Sequence, residues 1–189
     1  MSLRAQMRHP ALWIGLIVGA VGMWAASQLP YVNWTRFMPP IDERPLQIRQ
    51  DAKGDGRYLS PRSGHRRHRG VDLSAPMGSP VRAMRSGTVV QVGRHRGLGW
   101  FIELEHPGRL TSLYAHLDTT SVEVGKRVKQ GEAIGTIGKT GNARSRMIQP
   151  HLHFEVWKGG RPIDPAMLGL EAVALSSTTD DNPDGRGGD

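Results

Sequence analysis

The sequence predicts an all-β domain, a compact antiparallel β-sandwich or barrel-like fold with Gly-rich turns, preceded by one N-terminal transmembrane helix. Three observations predict it. The 189 residues include 24 glycines and 13 prolines, so turn-forming residues recur throughout. Leu, Ile and Val come in short alternating bursts rather than in stripes of helical period. Ala11 to Leu29, near the N-terminus, carries no charge over 19 residues.

That apolar stretch, as a helix, would extend about 28 Å, close to the hydrocarbon thickness of a bilayer. Arg4 and Arg8 precede it. Basic flanks stay in the cytoplasm, so residues 1–10 are expected inside, 11–29 in the cytoplasmic (inner) membrane, and the rest outside, in the periplasm. Trp13 near one end, and Trp24, Tyr31 and Trp34 near the other, suit the two headgroup regions. The rival is a cleaved signal segment, releasing a secreted protein, with small residues for a cut at Ala25–Ser27. The apolar core of such a signal is usually shorter, about 7–15 residues.

The chain has no cysteine, which excludes a disulfide framework and a thiolate metal site. Any metal must be held by histidine and carboxylate. The net charge of +8 reads first as a solvated basic surface. Export removes nucleic acid as an expected partner and makes an anionic cell-surface polymer the more available one.

Residues 30–53, with "LPYVNWTRFMPPIDERP", lack periodicity and read as a linker. The folded domain is expected over 54–170. Within it "SPVRAMRSGTVVQVG" alternates around a break at Gly87, and "WFIELEH", "LTSLYAHL", "GKRVKQGEAIGTIGKTG" and "HLHFEVW" follow as further strand material. Residues 171–189, with "SSTTDDNPDGRGGD", are expected to be a disordered acidic tail.

Three stretches carry chemistry. In "HLHFEVW", a strand would turn His151, His153 and Glu155 to one face and Leu152, Phe154 and Val156 to the other. The apolar set can then be buried while two imidazoles aim at one cleft. The bland alternative is a pair of surface histidines. In "HRGVD", His68 stands four residues before Asp72, a ligand pair common at zinc, with Gly70 allowing a close turn. Alone this is a weak signal in an arginine-rich loop. In "LYAHL", His116 sits in an apolar strand, where a histidine needs a polar partner even if it is only part of the core.

Together these stretches resemble the lysostaphin-type (LytM-like) zinc metallopeptidases that cut peptidoglycan peptides. The resemblance covers roughly residues 56–168. It includes "HRGVDLSAPMGSPVRA", "SGTVVQVG", "SLYAHL", "VEVGKRVKQGEAIGTIGKTGNA" and "PHLHFEVWKGGRPIDP", in the family's order. It implies one Zn2+ held by His68, Asp72 and His153, with His116 and His151 as catalytic histidines. His65 is then a decoy, His95 and His106 are surface turn residues, and His9 belongs to the cytoplasmic flank. One departure stands out. Exported relatives often carry Phe-Gly-x-Arg upstream of HxxxD, and here "GDGRYLSPRSGHRRH" leaves Arg57 as the replacement candidate.

The function implied is a zinc-dependent endopeptidase acting on amide bonds of peptidoglycan stem peptides or cross-links. Two rivals belong to other classes. One is a catalytically silent wall-binding regulator that activates another hydrolase. The other is a carrier domain acylated on Lys126, Lys129 or Lys139, suggested by "VGKRVKQGEAIGTIG"; it leaves the histidines unexplained and finds no ligase outside the cell.

Overall fold

The computed structural model describes residues 10–33, 35–170 and 172–174. The expected cytoplasmic flank with Arg4, Arg8 and His9, the interfacial Trp34, and residues 175–189 of the expected tail lie outside them. Helix α1 (Pro10–Gln28) takes up 19 residues, with proline at its first position, where a missing N–H costs nothing. Its described side chains begin at Ile17, and Ile17, Val18, Val21, Met23 and Trp24 are exposed. Among the described residues no helix is long and apolar enough to cross a membrane.

The rest of the described residues form thirteen strands: β1 (Leu46–Ile48), β2 (Gln50–Asp51), β3 (Gly54–Asp55), β4 (Val71–Ser74), β5 (Pro80–Arg82), β6 (Gly87–His95), β7 (Gly99–His106), β8 (Leu110–Thr120), β9 (Arg127–Val128), β10 (Ala133–Ile137), β11 (His151–Lys158), β12 (Arg161–Ile163) and β13 (Ala172–Ala174), with turns and loops between them. Eleven form one sheet along the path β13-β1-β4-β11-β8-β7-β6-β9, with β12 on β11 and the β10–β5 pair on β8. The ladders are antiparallel except β1–β13. The mostly-β, antiparallel expectation is met, and the described helices of the domain are only 3₁₀ turns. Turn chemistry explains the short connections. Lys158 pairs with Arg161 across Gly159–Gly160, and both glycines hold positive φ, as a two-residue hairpin turn matching sheet twist requires.

β11 divides its faces as its alternation predicts. Leu152, Phe154 and Val156 are fully buried with Leu73, Ile102, Leu104 and Tyr114, while His151, His153 and Glu155 share the opposite face. The sheet is not a simple ladder. β8 pairs with β11 over Leu110–Ala115 and with β10 over Leu117–Thr120, on the same side. The sheet therefore forks at His116, and β11 and β10 diverge from that point.

Three expectations differ from the structure. β-Structure begins at β1, inside the stretch expected as linker, and Ile41 and Leu46 are core residues. Ala172–Ala174, expected in the tail, pairs with β1. Both strands are three residues long and each is the other's distant partner, so neither shows a local pattern. His106, expected in a surface turn, is buried in β7: it alternates with Ile102 and Leu104 and contacts the Ser86 carbonyl (3.1 Å) and Ser112 Oγ (2.7 Å). The turn starts one residue later, at Pro107. His65 and His95 are exposed, as expected.

Candidate metal centre

β4 and β11 run antiparallel with Asp72 directly opposite His153 and Ser74 opposite His151. Carboxylate and imidazole on one face of neighbouring strands are thereby placed side by side. His68 precedes β4 and is fixed by its backbone: its N–H donates to Ser60 and its carbonyl accepts from Leu59 N–H (3.0 and 2.9 Å). The chain reaches Asp72 through Gly70, whose Cβ position falls against the Phe154 carbonyl oxygen and 2.8 Å from the carbonyl carbon. Only glycine lets the His68 segment lie this close to β11.

Three atoms converge as a result. His68 Nε2 lies 3.0 Å from His153 Nδ1 and 3.1 Å from Asp72 Oδ1, and His153 Nδ1 lies 2.8 Å from Asp72 Oδ1. All three residues are buried. A tetrahedral ion with ligands at about 2.0–2.1 Å needs donor atoms roughly 3.3 Å apart. The triangle is slightly tighter than that, and two imidazoles with one carboxylate are a normal donor set for zinc. The residues present fit such an ion.

Neighbouring groups orient each donor. The Nδ1–H of His68 donates to the Arg57 carbonyl (2.8 Å), which turns Nε2 inward. His153 Nε2 contacts Glu155 Oε1 (3.0 Å), and Glu155 Oε2 accepts from Trp157 Nε1 (2.8 Å). Asp72 Oδ1 faces the histidines while Oδ2 accepts from Arg49 (2.9 Å) and Arg62 (3.2 Å). Arg57 itself points outward to Asp55, so the site takes its carbonyl and not its guanidinium.

His116 and His151 complete the cleft. Regular alternation would put His116 on the core face with Tyr114. Instead β7 pairs Phe101 with Ala115 and Trp100 with Leu117, leaving His116 as a bulged residue with φ 63°. The bulge swings its ring to the other face, 5.0 Å from the His151 centroid and 5.7 Å from that of His153. The Nδ1–H groups of His116 and His151 donate to the carbonyls of Thr140 (3.0 Å) and Gln149 (2.7 Å). Both Nε2 atoms are left as free acceptors.

Electrostatics separate the roles. Burial would raise the Asp72 carboxyl, but the hydrogen bonds and charges of His153 and His68 hold it well below the usual carboxylate value. Burial would lower His153, and the flanking Asp72 and Glu155 carboxylates instead push it up to about 9 in the metal-free protein. Burial, aided by the His153 and His151 charges, pushes His116 down to about 3. Burial also lowers His151, against the raising influence of Asp72.

The structure thus brings together all five singled-out residues. Sequence reasoning missed the partners. Glu155 was placed on the right face without a role. Arg49, Arg62 and the carbonyls of Arg57, Thr140 and Gln149 were not found; a carbonyl leaves no trace in side-chain chemistry, and Arg49 lay in the presumed linker.

A family model described as Peptidase family M23 matches residues 66–165. The Peptidoglycan DD-endopeptidase ShyB of Vibrio cholerae is 39% identical over 111 residues, 58% of this chain and 25% of that protein. Among solved structures, a zinc containing peptidase from Vibrio cholerae aligns with TM-score 0.56 at 32% identity, covering 76% of this chain and 41% of that one. The catalytic domain of the antimicrobial peptidase lysostaphin from Staphylococcus simulans aligns with TM-score 0.53 at 35% identity, covering 64% of this chain and 92% of that one. The chain spans about a quarter of the length of the curated relatives it first matches.

Proposed function

The chain belongs to peptidase family M23, and from that premise we propose that it is a zinc-dependent endopeptidase hydrolysing amide bonds in peptidoglycan stem peptides or cross-links. The observation that carries the reading is the convergence of His68, Asp72 and His153 donor atoms within 4.8 Å of one another, with two further imidazoles facing them. The peptidoglycan activity in the name of ShyB supports the substrate class.

His68 Nε2, Asp72 Oδ1 and His153 Nδ1 would hold the ion. A zinc ion held there would supply Lewis acidity and would lower the pKa of a nearby water to about 7. The protein's own contribution is proton handling. His116 and His151 are kept neutral, and their Nδ1 protons are committed to backbone carbonyls. Each therefore offers an Nε2 lone pair that can orient the attacking water, and one of the two accepts its proton. As the C–N bond breaks, the proton passes from Nε2 to the leaving amine. In this tautomer neither ring donates to the developing oxyanion, so both act first as acceptors.

The stretch Ala11–Leu29 is the candidate inner-membrane anchor, with the domain outside the cytoplasm. The absence of charge over its 19 residues and the preceding Arg4 and Arg8 support this. The net charge of +8 favours residence near an anionic wall.

The test is digestion of purified peptidoglycan, read by mass spectrometry, alongside zinc content. His153→Ala is expected to lose zinc and cleavage; His151→Ala is expected to lose cleavage and keep zinc. Zinc bound with no fragment released would overturn the hydrolase in favour of the regulatory reading.

A further inference from the structure

Arg49 lies upstream of the residues matched by the family and inside the stretch that reads as linker, yet it is 5% exposed. Its guanidinium spans two carboxylates. Nη2 reaches Asp72 Oδ2 at 2.9 Å, and Nη1 reaches Asp51 Oδ1 at 2.6 Å. Asp51 continues the connection: its Oδ2 accepts from Gln149 N–H at 3.1 Å, and its Oδ1 also accepts from Lys53 N–H at 2.8 Å. The carbonyl of the same Gln149 accepts the Nδ1 proton of His151. One continuous set of polar contacts therefore joins the carboxylate on one side of the cleft to the tautomer of the histidine on the other.

The main chain reinforces the placement. Arg49 N–H donates to the Asp72 carbonyl, Gly56 N–H to the Arg49 carbonyl, and Asp72 N–H to the Gly56 carbonyl, at 2.8, 2.9 and 2.8 Å. A Cβ on Gly56 would lie 2.8 Å from both the Arg49 oxygen and Asp72 Cβ. Arg49 is thus strapped to the Asp72 backbone as well as to its side chain. Arg62 also reaches Oδ2, but from a more exposed position and without a link to Asp51.

We propose that Arg49 and Asp51 are positioning residues: Arg49 fixes Asp72 with a single oxygen turned to the histidines, and Asp51 carries that restraint to Gln149 and so to His151. The planar guanidinium suits this task because one nitrogen hydrogen-bonds Asp72 Oδ2 while a second lies in ion-pair contact with Asp51 Oδ1; an ammonium is a point charge that cannot hold both carboxylates in one plane. The proposal rests on the zinc hydrolase reading for its consequence in catalysis, and for the tautomer on the Arg49–Asp51 ion pair and the two hydrogen bonds through Gln149.

The test uses the full chain and three variants, Arg49→Lys, Arg49→Met and Asp51→Ala. Zinc affinity is read by competition with a chromogenic chelator, and the His151 tautomer by imidazole ¹⁵N chemical shifts in the metal-free protein. Values of kcat and KM are read on purified peptidoglycan. Both Arg49 variants are expected to bind zinc about 10–100-fold more weakly, as loss of a ligand's supporting partner does. Asp51→Ala is expected to hold zinc within about threefold of the parent, to mix the His151 tautomers, and to lower kcat with KM unchanged. A merely structural role would move melting temperature and all three readouts together. Should Arg49→Met fail to fold, Arg49→Lys, which keeps the buried charge, decides the zinc arm. Unchanged zinc affinity in the folded Arg49 variants, or an unchanged His151 tautomer in Asp51→Ala, overturns the proposal. A parent chain that binds no zinc and cuts nothing overturns the hydrolase reading instead, and the metal-free ¹⁵N arm still decides the tethering of His151.

Discussion

Glu155→Gln isolates the support given to a single proposed ligand. Glu155 is 2% exposed and accepts two N–H groups, from His153 Nε2 at 3.0 Å and Trp157 Nε1 at 2.8 Å. Glutamine has nearly the same shape but one acceptor oxygen, so whichever N–H it keeps, its own NH2 faces the other. If the amide oxygen stays with Trp157, His153 loses a charge-assisted hydrogen bond, worth about 1.5–3 kcal/mol. The lost orientation of Nδ1 converts to a zinc affinity about 10–100-fold weaker. A second effect opposes the first. Glu155 also helps hold His153 up at about 9 in the metal-free protein, so removing its charge reduces proton competition for Nδ1. The comparison therefore belongs at pH 9.5, above that value, where the full difference is expected by chelator competition. It should narrow as pH falls, because the parent loses about tenfold in affinity per pH unit below 9 before the variant does. Equal affinities at pH 9.5 would refute the idea that Glu155 orients His153.

Three further outcomes are expected. Burial pushes His106 down to about 4, so in the folded state it refuses a proton that the unfolded chain takes at about 6.5; stability then falls by about 1.4 kcal/mol per pH unit as pH drops from 6.5 to 4. Urea midpoints of the metal-free protein should show this limb flattened in His106→Gln, and an equal slope would count against it. Gly70→Ala places a methyl group against Phe154 and 2.9 Å from Glu155 Cγ, which should cost about 1–3 kcal/mol in denaturant unfolding and weaken zinc binding by parting β4 from β11. Thr140→Val removes a hydroxyl that accepts Trp100 N–H at 2.9 Å and donates to the Leu117 carbonyl at 2.8 Å; leaving both groups unpaired should cost about 2 kcal/mol or more and lower kcat through a loosened His116, with zinc retained.

The sequence made some parts of this arrangement plain and hid others, for physical reasons. His151, His153 and Glu155 were legible because β11 is regular over eight residues, and period-two alternation assigns faces without further information. His68 and Asp72 were legible as a ligand pair, although what brings them to His153 is the register of β4 against β11, a long-range property. His116 was legible only through resemblance. On alternation alone it belongs to the core face, and the bulge that reverses it depends on pairing with β7 and on Thr140, 24 residues away. His106 shows the converse error: its alternation with Ile102 and Leu104 was present in the sequence, but the adjacent Pro107-Gly108 pair is a turn signal that competes with the strand pattern. Arg49 was hidden because its strand has three residues, too few to display a period.

The fork in the sheet explains why these groups meet where they do. Up to Ala115, β8 is flanked by β11; after His116 that flank passes to β10. A sheet that continued unbroken would have no opening beside His151 and His153, and its core-facing residue at position 116 would stay in the core. A single residue in the left-handed region makes the opening and supplies one imidazole to it. Its cost is limited by clamps: the His116 N–H donates to the Leu98 carbonyl at 2.8 Å, and Thr140 holds both the ring and the neighbouring strand. The proposed ligands, by contrast, come from the regular part of the sheet, where register fixes distances most firmly. Ligand geometry resting on paired strands and proton transfer resting on an irregular edge is a division that separates the expected phenotypes. Changes that part β4 from β11 should act on zinc affinity, and changes at the bulge should act on turnover.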